Sequence, residues 1–527
     1  MSLEAFGVKN LRCLVDTGLV PIRPITVLVG RNSSGKSTFL RAFPLLRQSV
    51  ETRRNTPILW YGDEHPVDFG SLKDAASAWL DEPTVTFMFR VQIPKGMRVT
   101  LDDAPCDIEM TLAGAETPHV SEYRIRVEGH DVRWTFDPQG RAKTLSIGGK
   151  PVRLESPLSL GGKAHLLPTL QPGESSNLSY VGAPEAIDPW HFRYATRADQ
   201  VLLGPLVDAL RPLFHGNTSN ETIGQIARRI RVGAPAAMLA QLDSFSSNRQ
   251  FQQSMTALTA PEAIDSNLAT IEEITSRAVA RLSPYILEGA DFTVARQVSR
   301  VAYLAPLRVS PQRAYRVANL AVDEVDPDGK NLAMFLRSLS PVEAVSFAAF
   351  TREAIGFETE VRTTGLHAEI LVRAAGSKRL SNLVDVGFGY SEVLPLAAVL
   401  WNTCLRLPLE EHYPGRLVAI EQPELHLHPA HQVKLARMLV EAVSSSPSTR
   451  IVVETHSESL INGLGKLVHD GVIDSKDVEI VLFHQDDESE KTEVSLAGYR
   501  ESGALRDWPY GFLSPVAERR APPAAAE

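Results

Sequence analysis

Gly30-Arg31-Asn32-Ser33-Ser34-Gly35-Lys36-Ser37 decides the reading of this 527-residue chain. Four residues separate the two glycines, and Lys and Ser follow, which is the P-loop pattern. Ahead of it, Ile25-Thr26-Val27-Leu28-Val29 is a short β-branched apolar run that reads as a buried strand. Behind it, Thr38 to Gln48 reads as a helix. The motif therefore sits on a strand-to-helix turn. There, glycines let the backbone wrap close to a phosphate chain, and successive N–H groups and the helix N-terminus face the anion. Lys36 is positioned to reach the β- and γ-phosphates and Ser37 to hold Mg2+. With Gly30, Asn32, Ser33, Ser34, Gly35 and Thr38 they form the expected nucleotide-binding set, and ATP and Mg2+ are the expected cofactors.

Hydrophobic residues make up 43% of the chain and charged residues 22%, which is ordinary for a soluble globular protein of two or three domains. The net charge of −9 argues against a uniformly basic nucleic-acid binder but leaves room for a local basic patch. Cys13, Cys106 and Cys404 are far apart, form no metal-type pair and fit a reducing cytoplasm. Glu4 and Lys9 near the start leave no apolar signal-peptide core. The longest apolar stretch, Val393 to Leu405, holds Pro395, Asn402 and Thr403 and is too short to span a bilayer. A cytoplasmic chain without a membrane partner is expected.

The organisation is mixed α/β. Thr84–Val91, Tyr123–Val127 and Asp131–Phe136 alternate as strands of an antiparallel meander. Residues 156–190 are rich in Gly, Pro and Ser and read as a loop or boundary. From Phe192 to Glu288 the period turns helical, with breaks expected at Pro205, Pro212, Pro235, Pro261 and Pro284 and no sustained heptad. Arg228-Arg229-Ile230-Arg231 lies there and reads as a solvated helix face, or else as a patch that contacts DNA or a partner. After Val301 mixed α/β returns. The expected domains are 1–190 (P-loop plus meander), 191–300 (helical insertion), 301–515 (second part of the ATPase head) and a disordered tail, 516–527.

A P-loop needs an acid opposite it. The apolar run Leu417-Val418-Ala419-Ile420 ends in Glu421-Gln422-Pro423-Glu424, where a Walker B carboxylate holds the Mg2+ water shell. A second run, Arg450-Ile451-Val452-Val453, ends in Glu454-Thr455-His456-Ser457, and His456 is placed for the γ-phosphate or the attacking water. Asp385 to Glu392 carries Gly387, Gly389 and Ser391 ahead of a helix expected near Val393, a second anion-binding device.

In this order, the P-loop, the Gly/Ser segment, Glu421-Gln422-Pro423-Glu424-Leu425-His426-Leu427-His428-Pro429 and Glu454–Ser457 resemble the ABC-type ATPases of the SMC/RecF/OLD group. More narrowly, they resemble bacterial AAA-family ATPases of phage defence, such as the Septu type, without a Toprim domain. Tyr303–Arg308, Asp328–Asn331 and Arg506–Phe512 also look like segments of that group. The resemblance implies an ABC-type head in which Glu421 is the Walker B acid and a Mg2+ ligand, and His456 the switch histidine. It implies that Gly389 and Ser391 cap the γ-phosphate of a second protomer. It also implies a head-to-tail homodimer, or a larger homo-oligomer, closed through ATP, with a separate effector protein, a nuclease or toxin. The alternative is a RecF/SMC-like repair ATPase that clamps duplex DNA, with nucleic acid as partner. No Asn-Lys-x-Asp guanine motif is present, so GTP is not expected.

One position departs from the group. Where a catalytic Glu usually follows the Walker B acid stands Gln422, which orients a water but cannot take its proton. Either Glu424 substitutes, or Glu421 doubles as base, or hydrolysis is slow and the chain is a nucleotide-gated switch or scaffold. The histidines 426, 428 and 431 read as part of the loop after Walker B rather than a metal site. Asp486-Asp487-Glu488 reads as a solvated turn, and with 71 residues after His456 no nuclease is expected within the chain.

Overall fold

The computed structural model describes residues 2–508 except 63–64, 94–96, 98, 102, 174–178, 181–192, 246–248, 261–263, 319–320, 375 and 407–414. The expected tail, 516–527, and part of the segment Arg506–Phe512 lie outside the described residues. The chain divides into two compact units. One comprises Met1–Pro21, Arg41–Val301 and Glu410–Gly415, and the other Ile22–Leu40, Ala302–Leu409 and Arg416–Glu527. The P-loop thus falls in the same unit as Glu421 and His456, although some 380 residues part them in sequence.

In the P-loop unit the strands run in the order Thr492–Tyr499, Val478–Gln485, Ile25–Gly30, Arg450–Glu454, Leu417–Glu421, Val301–Leu304. The P-loop strand Ile25–Gly30 lies parallel to both neighbours, and Arg450–Glu454 lies parallel to Leu417–Glu421. All six residues of the P-loop strand are buried. Such near-continuous apolar strands belong in a parallel sheet covered on both faces. Val27, Val29, Ile420 and Val453 share one core with Leu394 and Leu400, with Leu435 and Leu439 of the helix Pro429–Ser445, and with Leu460 and Leu464 of the helix Glu458–His469. The P-loop helix runs Lys36–Glu51. A separate antiparallel sheet joins Tyr315–Arg316, His367–Ala374, Phe357–Thr364 and Ser381–Asn382.

The other unit contains the meander. Leu3–Leu11, Thr84–Val91, Cys106–Ala113, His119–Val127, His130–Phe136, Ala142–Ile147 and Lys150–Val152 pair antiparallel in chain order. The three strands expected from alternation are present, and His130–Phe136 buries every second residue from Val132 onward. Residues 156–190 are not simply a loop. Leu158–Gly161 pairs antiparallel with Thr169–Pro172, because Leu158, Leu160 and Leu170 are buried among their Gly and Pro neighbours.

Helices Arg193–Leu210, Asn220–Ala227, Pro235–Ser244, Arg249–Thr259 and Ile264–Val298 follow. Two expected breaks do not occur. Pro205 lies inside Arg193–Leu210 and Pro284 inside the 35-residue helix Ile264–Val298. An interior proline costs about 3 kcal/mol. Here the long helix is held by burial of Ala278, Val279, Ile286 and Leu287, and the Pro284 carbonyl accepts a bond from Thr169 Oγ1 at 3.2 Å. Pro235 opens its helix, as the rule for a first-turn proline requires. Pro261 lies outside the described residues.

Packing in the P-loop unit makes a direct prediction. Phe335 is fully buried in its core, so Phe335→Ala should cost about 3–5 kcal/mol, read as a lowered urea midpoint. A loss below about 1 kcal/mol would contradict this packing.

Candidate nucleotide site

Register builds the site. Glu421 is the register partner of Glu454, and Glu454 that of Leu28 in the P-loop strand. Strands that end together in a parallel sheet bring their last residues to one edge, where ligands of open α/β sheets bind. The ends of three adjacent strands are therefore Gly30, Glu454 and Glu421.

The P-loop turn needs its special residues. Ser33 (φ 65°) and Gly35 (φ 87°) both adopt left-handed backbone. A Cβ on Gly30 would lie 2.6 Å from Ser34 Oγ and 2.8 Å from the Phe483 carbonyl oxygen, so only glycine fits the strand end. Lys36 is 2% exposed, and its Nζ donates to the Arg31 carbonyl at 2.7 Å. Burial lowers the Lys36 pKa, and the nearby Glu454 and Glu424 oppose that shift. The P-loop helix starts at Lys36, so Lys36, Ser37 and Thr38 make its first turn. Asn32 and Ser33 are exposed on the turn, and Ser34 is buried.

Glu454 and Glu424 lie near Lys36, and Glu421 is the register neighbour of Glu454. Glu421, 1% exposed, accepts a bond from the Tyr303 hydroxyl at 2.7 Å. Glu424 Oε1 accepts from the His456 backbone N–H at 2.6 Å. Burial pushes the Glu424 carboxyl above its ordinary range. Glu454, also 1% exposed, is raised by burial first and by Glu421 in addition, while a hydrogen bond with Ser37 opposes the rise. Gln422 takes a left-handed conformation (φ 41°) that turns its backbone N–H onto the Glu454 carbonyl at 2.9 Å. Its Nε2 lies 3.4 Å from Glu454 Oε1. His456 is held toward its neutral form by burial and then by Lys36.

The Gly/Ser segment differs from expectation at its helix. The helix begins at Phe388 and runs to Trp401, so Gly389 and Ser391 stand in its first turn rather than on a loop before Val393. The nearest atoms to a Cβ on Gly389 belong to Leu427, in the loop after Glu421, and to His431, in the first turn of the helix Pro429–Ser445, and not to the P-loop. Arg308 joins this helix to the site. Its buried Nη1 donates to the Glu392 carbonyl at 3.0 Å and to Glu392 Oε2 at 3.2 Å, and Glu424 also attracts its charge.

Glu454, Tyr303 and Arg308 were not among the site residues chosen from sequence. Glu454 carries the same sequence signal as Glu421, a carboxylate at the end of a buried strand. The histidine run does other work: His428 caps the helix Pro429–Ser445 by accepting from Ala430 N–H at 3.3 Å. Among the described residues no group of three His, Cys, Asp or Glu side chains is placed to hold a metal by itself. Asp486 accepts from Ser489 N–H and Oγ, both at 2.7 Å, which closes the turn between Val478–Gln485 and Thr492–Tyr499. Among the described residues no helix is long and apolar enough to cross a membrane.

The donor set fits a nucleotide with Mg2+. Ser34 Oγ, Glu424 Oε2, Glu454 Oε2 and His456 Nε2 are buried without a hydrogen-bond partner. An unsatisfied buried polar group costs about 1–3 kcal/mol, so four in one region mark a place built for polar occupants. A cation held by Ser37, phosphate oxygens and waters beside Glu421 needs no cluster of three protein ligands.

Parts of the chain are similar to known proteins. A family model described as an AAA ATPase domain matches residues 1–86 and 337–461, which include the P-loop, Gly389, Ser391, Glu421, Glu424, Glu454 and His456. Over 48 residues the chain is 48% identical to the OLD nuclease of Thermus scotoductus, a stretch amounting to 9% of either protein. Among solved structures, the Smc head domain of Pyrococcus furiosus bound to the C-terminal domain of ScpA aligns over 94% of this chain and 96% of its own, with 12% identity and a TM-score of 0.32. The SMC head domain from Thermotoga maritima aligns over 94% and 98%, with 11% identity and a TM-score of 0.34.

Glu454 yields a pH prediction. Its folded pKa is raised, so its contribution to stability is full below the unfolded carboxylate value of 4.5 and is lost as pH rises through the folded pKa. Glu454→Gln removes the charge that must be buried. That variant should melt higher than wild type at pH 7.5, and the gap should shrink toward pH 4.5. A variant that melts lower at pH 7.5 would show that the Glu454 charge is stabilised in the fold.

Proposed function

We propose that this chain is an ATP-binding and slowly hydrolysing ABC-type ATPase. Its role is that of a nucleotide-gated sensor or regulator in a bacterial antiphage defence complex whose effector is a separate protein. The observation that carries the ATPase reading is the convergence of Lys36 with the buried Glu421, Glu424 and Glu454 at one edge of a parallel sheet. The defence role is supported by the motif order of the sequence, which resembles that of phage-defence ATPases.

Bound Mg·ATP supplies the phosphoanhydride bond and a phosphate chain whose charge the cation shares. The residues around it have distinct tasks. Lys36 exchanges the Arg31 carbonyl for phosphate oxygens, and the first-turn N–H groups of the P-loop helix face the same anion. Ser37 and Glu421 would hold the cation and its waters, with Tyr303 fixing the Glu421 carboxylate. Gln422 orients the attacking water through its amide. Glu454, buried and raised in pKa, accepts the proton at a carboxylate oxygen. Glu424 acts through its bond to the His456 backbone and so sets where that imidazole stands. A base on the strand next to the usual position, sharing its hydrogen bonds with Ser37 and Gln422, fits slow turnover.

Gating follows from population shift. Gly389 and Ser391, half-buried in the first turn of their helix, meet the γ-phosphate of a second protomer, and ATP thereby favours the closed homodimer. Lys36→Ala should abolish the Mg2+-dependent ATP binding seen in calorimetry while the melting curve stays cooperative. In light scattering the wild-type mass should double with ATP, and Ser391→Arg should prevent doubling without affecting ATP binding. Normal ATP binding by Lys36→Ala would refute the P-loop assignment. Tight, steeply salt-dependent duplex binding that requires ATP would favour a DNA clamp instead.

A further inference from the structure

The basic run Arg228-Arg229-Ile230-Arg231 does not lie on a plain solvated face. It lines a cavity of about 620 Å3 inside the meander-and-helix unit, together with Asp199, Arg281 and Tyr285. Arg281 forms the floor. Its side chain is 3% exposed, its Nη1 donates to Asp199 at 2.9 Å, and its Nη2 donates to the Ile230 carbonyl at 3.1 Å. Its Nε is buried without a partner. Arg228 approaches the same Asp199 carboxylate at 3.9 Å. One carboxylate thus serves two guanidiniums, while Arg229 and Arg231 stand on the same wall.

Four arginines against one aspartate leave a surplus of three positive charges (4 − 1 = 3) on a concave surface. Burying a guanidinium without full pairing is costly, and Arg forks match phosphate oxygens bidentately. The wall is also held in shape. Gln241 accepts from the Arg231 N–H at 3.1 Å and donates to the Arg231 carbonyl at 3.0 Å, and Arg229 stacks on Phe245 at 4.4 Å. Beside the arginines lies the apolar surface of Leu282 and Tyr285. Charge at one side and an aromatic wall at the other, within the size range of small-molecule pockets, describe a nucleotide-sized ligand. A duplex, which presents its phosphates on a convex rod, does not reach a floor arginine 3% exposed.

We propose that this cavity is a second anion site, separate from the P-loop, which binds a phosphate-bearing small molecule of nucleotide size through Arg228, Arg231 and Arg281. This goes beyond the ATPase reading and does not rest on it, since every residue involved lies in the unit without the P-loop turn.

The test uses the full chain carrying Lys36→Ala, so that P-loop binding is removed, with sodium pyrophosphate and ADP as calorimetric probes in EDTA. One equivalent of each should bind, ADP at least as tightly as pyrophosphate. Adding Arg231→Ala, a half-exposed position that should not disturb folding, should weaken both at least tenfold, as loss of a charged hydrogen bond implies. Arg281→Met should abolish binding if it folds. In the otherwise intact chain, Arg231→Ala should leave ATP binding at the P-loop unchanged, which separates failure here from failure of the ATPase reading. Absent pyrophosphate binding, binding indifferent to Arg231→Ala, ADP weaker than pyrophosphate, or a 30-mer duplex bound through Arg231 without competition from pyrophosphate would each overturn the proposal.

Discussion

Two carboxylates in register on neighbouring parallel strands, buried beside a lysine, set the terms for the rest of the P-loop unit. Glu421 and Glu454 are adjacent across the sheet and each about 1% exposed. Burial raises the cost of ionising Glu454, and the neighbouring Glu421 adds to it. The surroundings are arranged against that cost. Tyr303 donates to Glu421, Gln422 and Ser37 bond to Glu454, and Lys36 lends its charge. What remains unsatisfied, on Ser34, Glu424, Glu454 and His456, faces the region a nucleotide and its cation would fill.

The glutamine after Glu421 changes meaning in this setting. Read along the chain, Gln422 is a missing base, and Glu424 two residues on is the nearest replacement. In the fold, the left-handed turn at Gln422 bonds its N–H to the strand that ends in Glu454 and brings its amide to that carboxylate. Glu424 is instead committed to the His456 backbone. On the proposed mechanism, the water-orienting amide and the proton-accepting carboxylate are thus divided between two strands rather than joined in one side chain.

Much of this was legible in the sequence for a physical reason. Buried parallel strands are apolar throughout and end abruptly, so Ile25–Val29, Leu417–Ile420 and Arg450–Val453 announced both themselves and the polar residues at their ends. The meander was legible through alternation. Long-range partners were not: Tyr303 and Glu421 are 118 residues apart, and nothing local marks their bond. Glycines misled twice. Gly387 and Gly389 read as loop but open a helix at Phe388, and the Gly/Pro-rich stretch after Ser156 conceals a buried hairpin. Prolines misled in the helical region, because tertiary burial holds Pro205 and Pro284 inside helices that local propensity would end. The arginine run was visible as charge, but its concave setting depends on Asp199 and Arg281 from distant helices.

The account stands on Glu454 as the proton acceptor, and steady-state ATP hydrolysis by wild type, Glu454→Gln and Glu424→Gln tests it most directly. Wild type should turn over, and Glu454→Gln should lose about 100-fold or more while still binding ATP; Glu424→Gln should lose less. Full turnover by Glu454→Gln together with a silent Glu424→Gln would contradict it, and would place the base on the loop after Glu421.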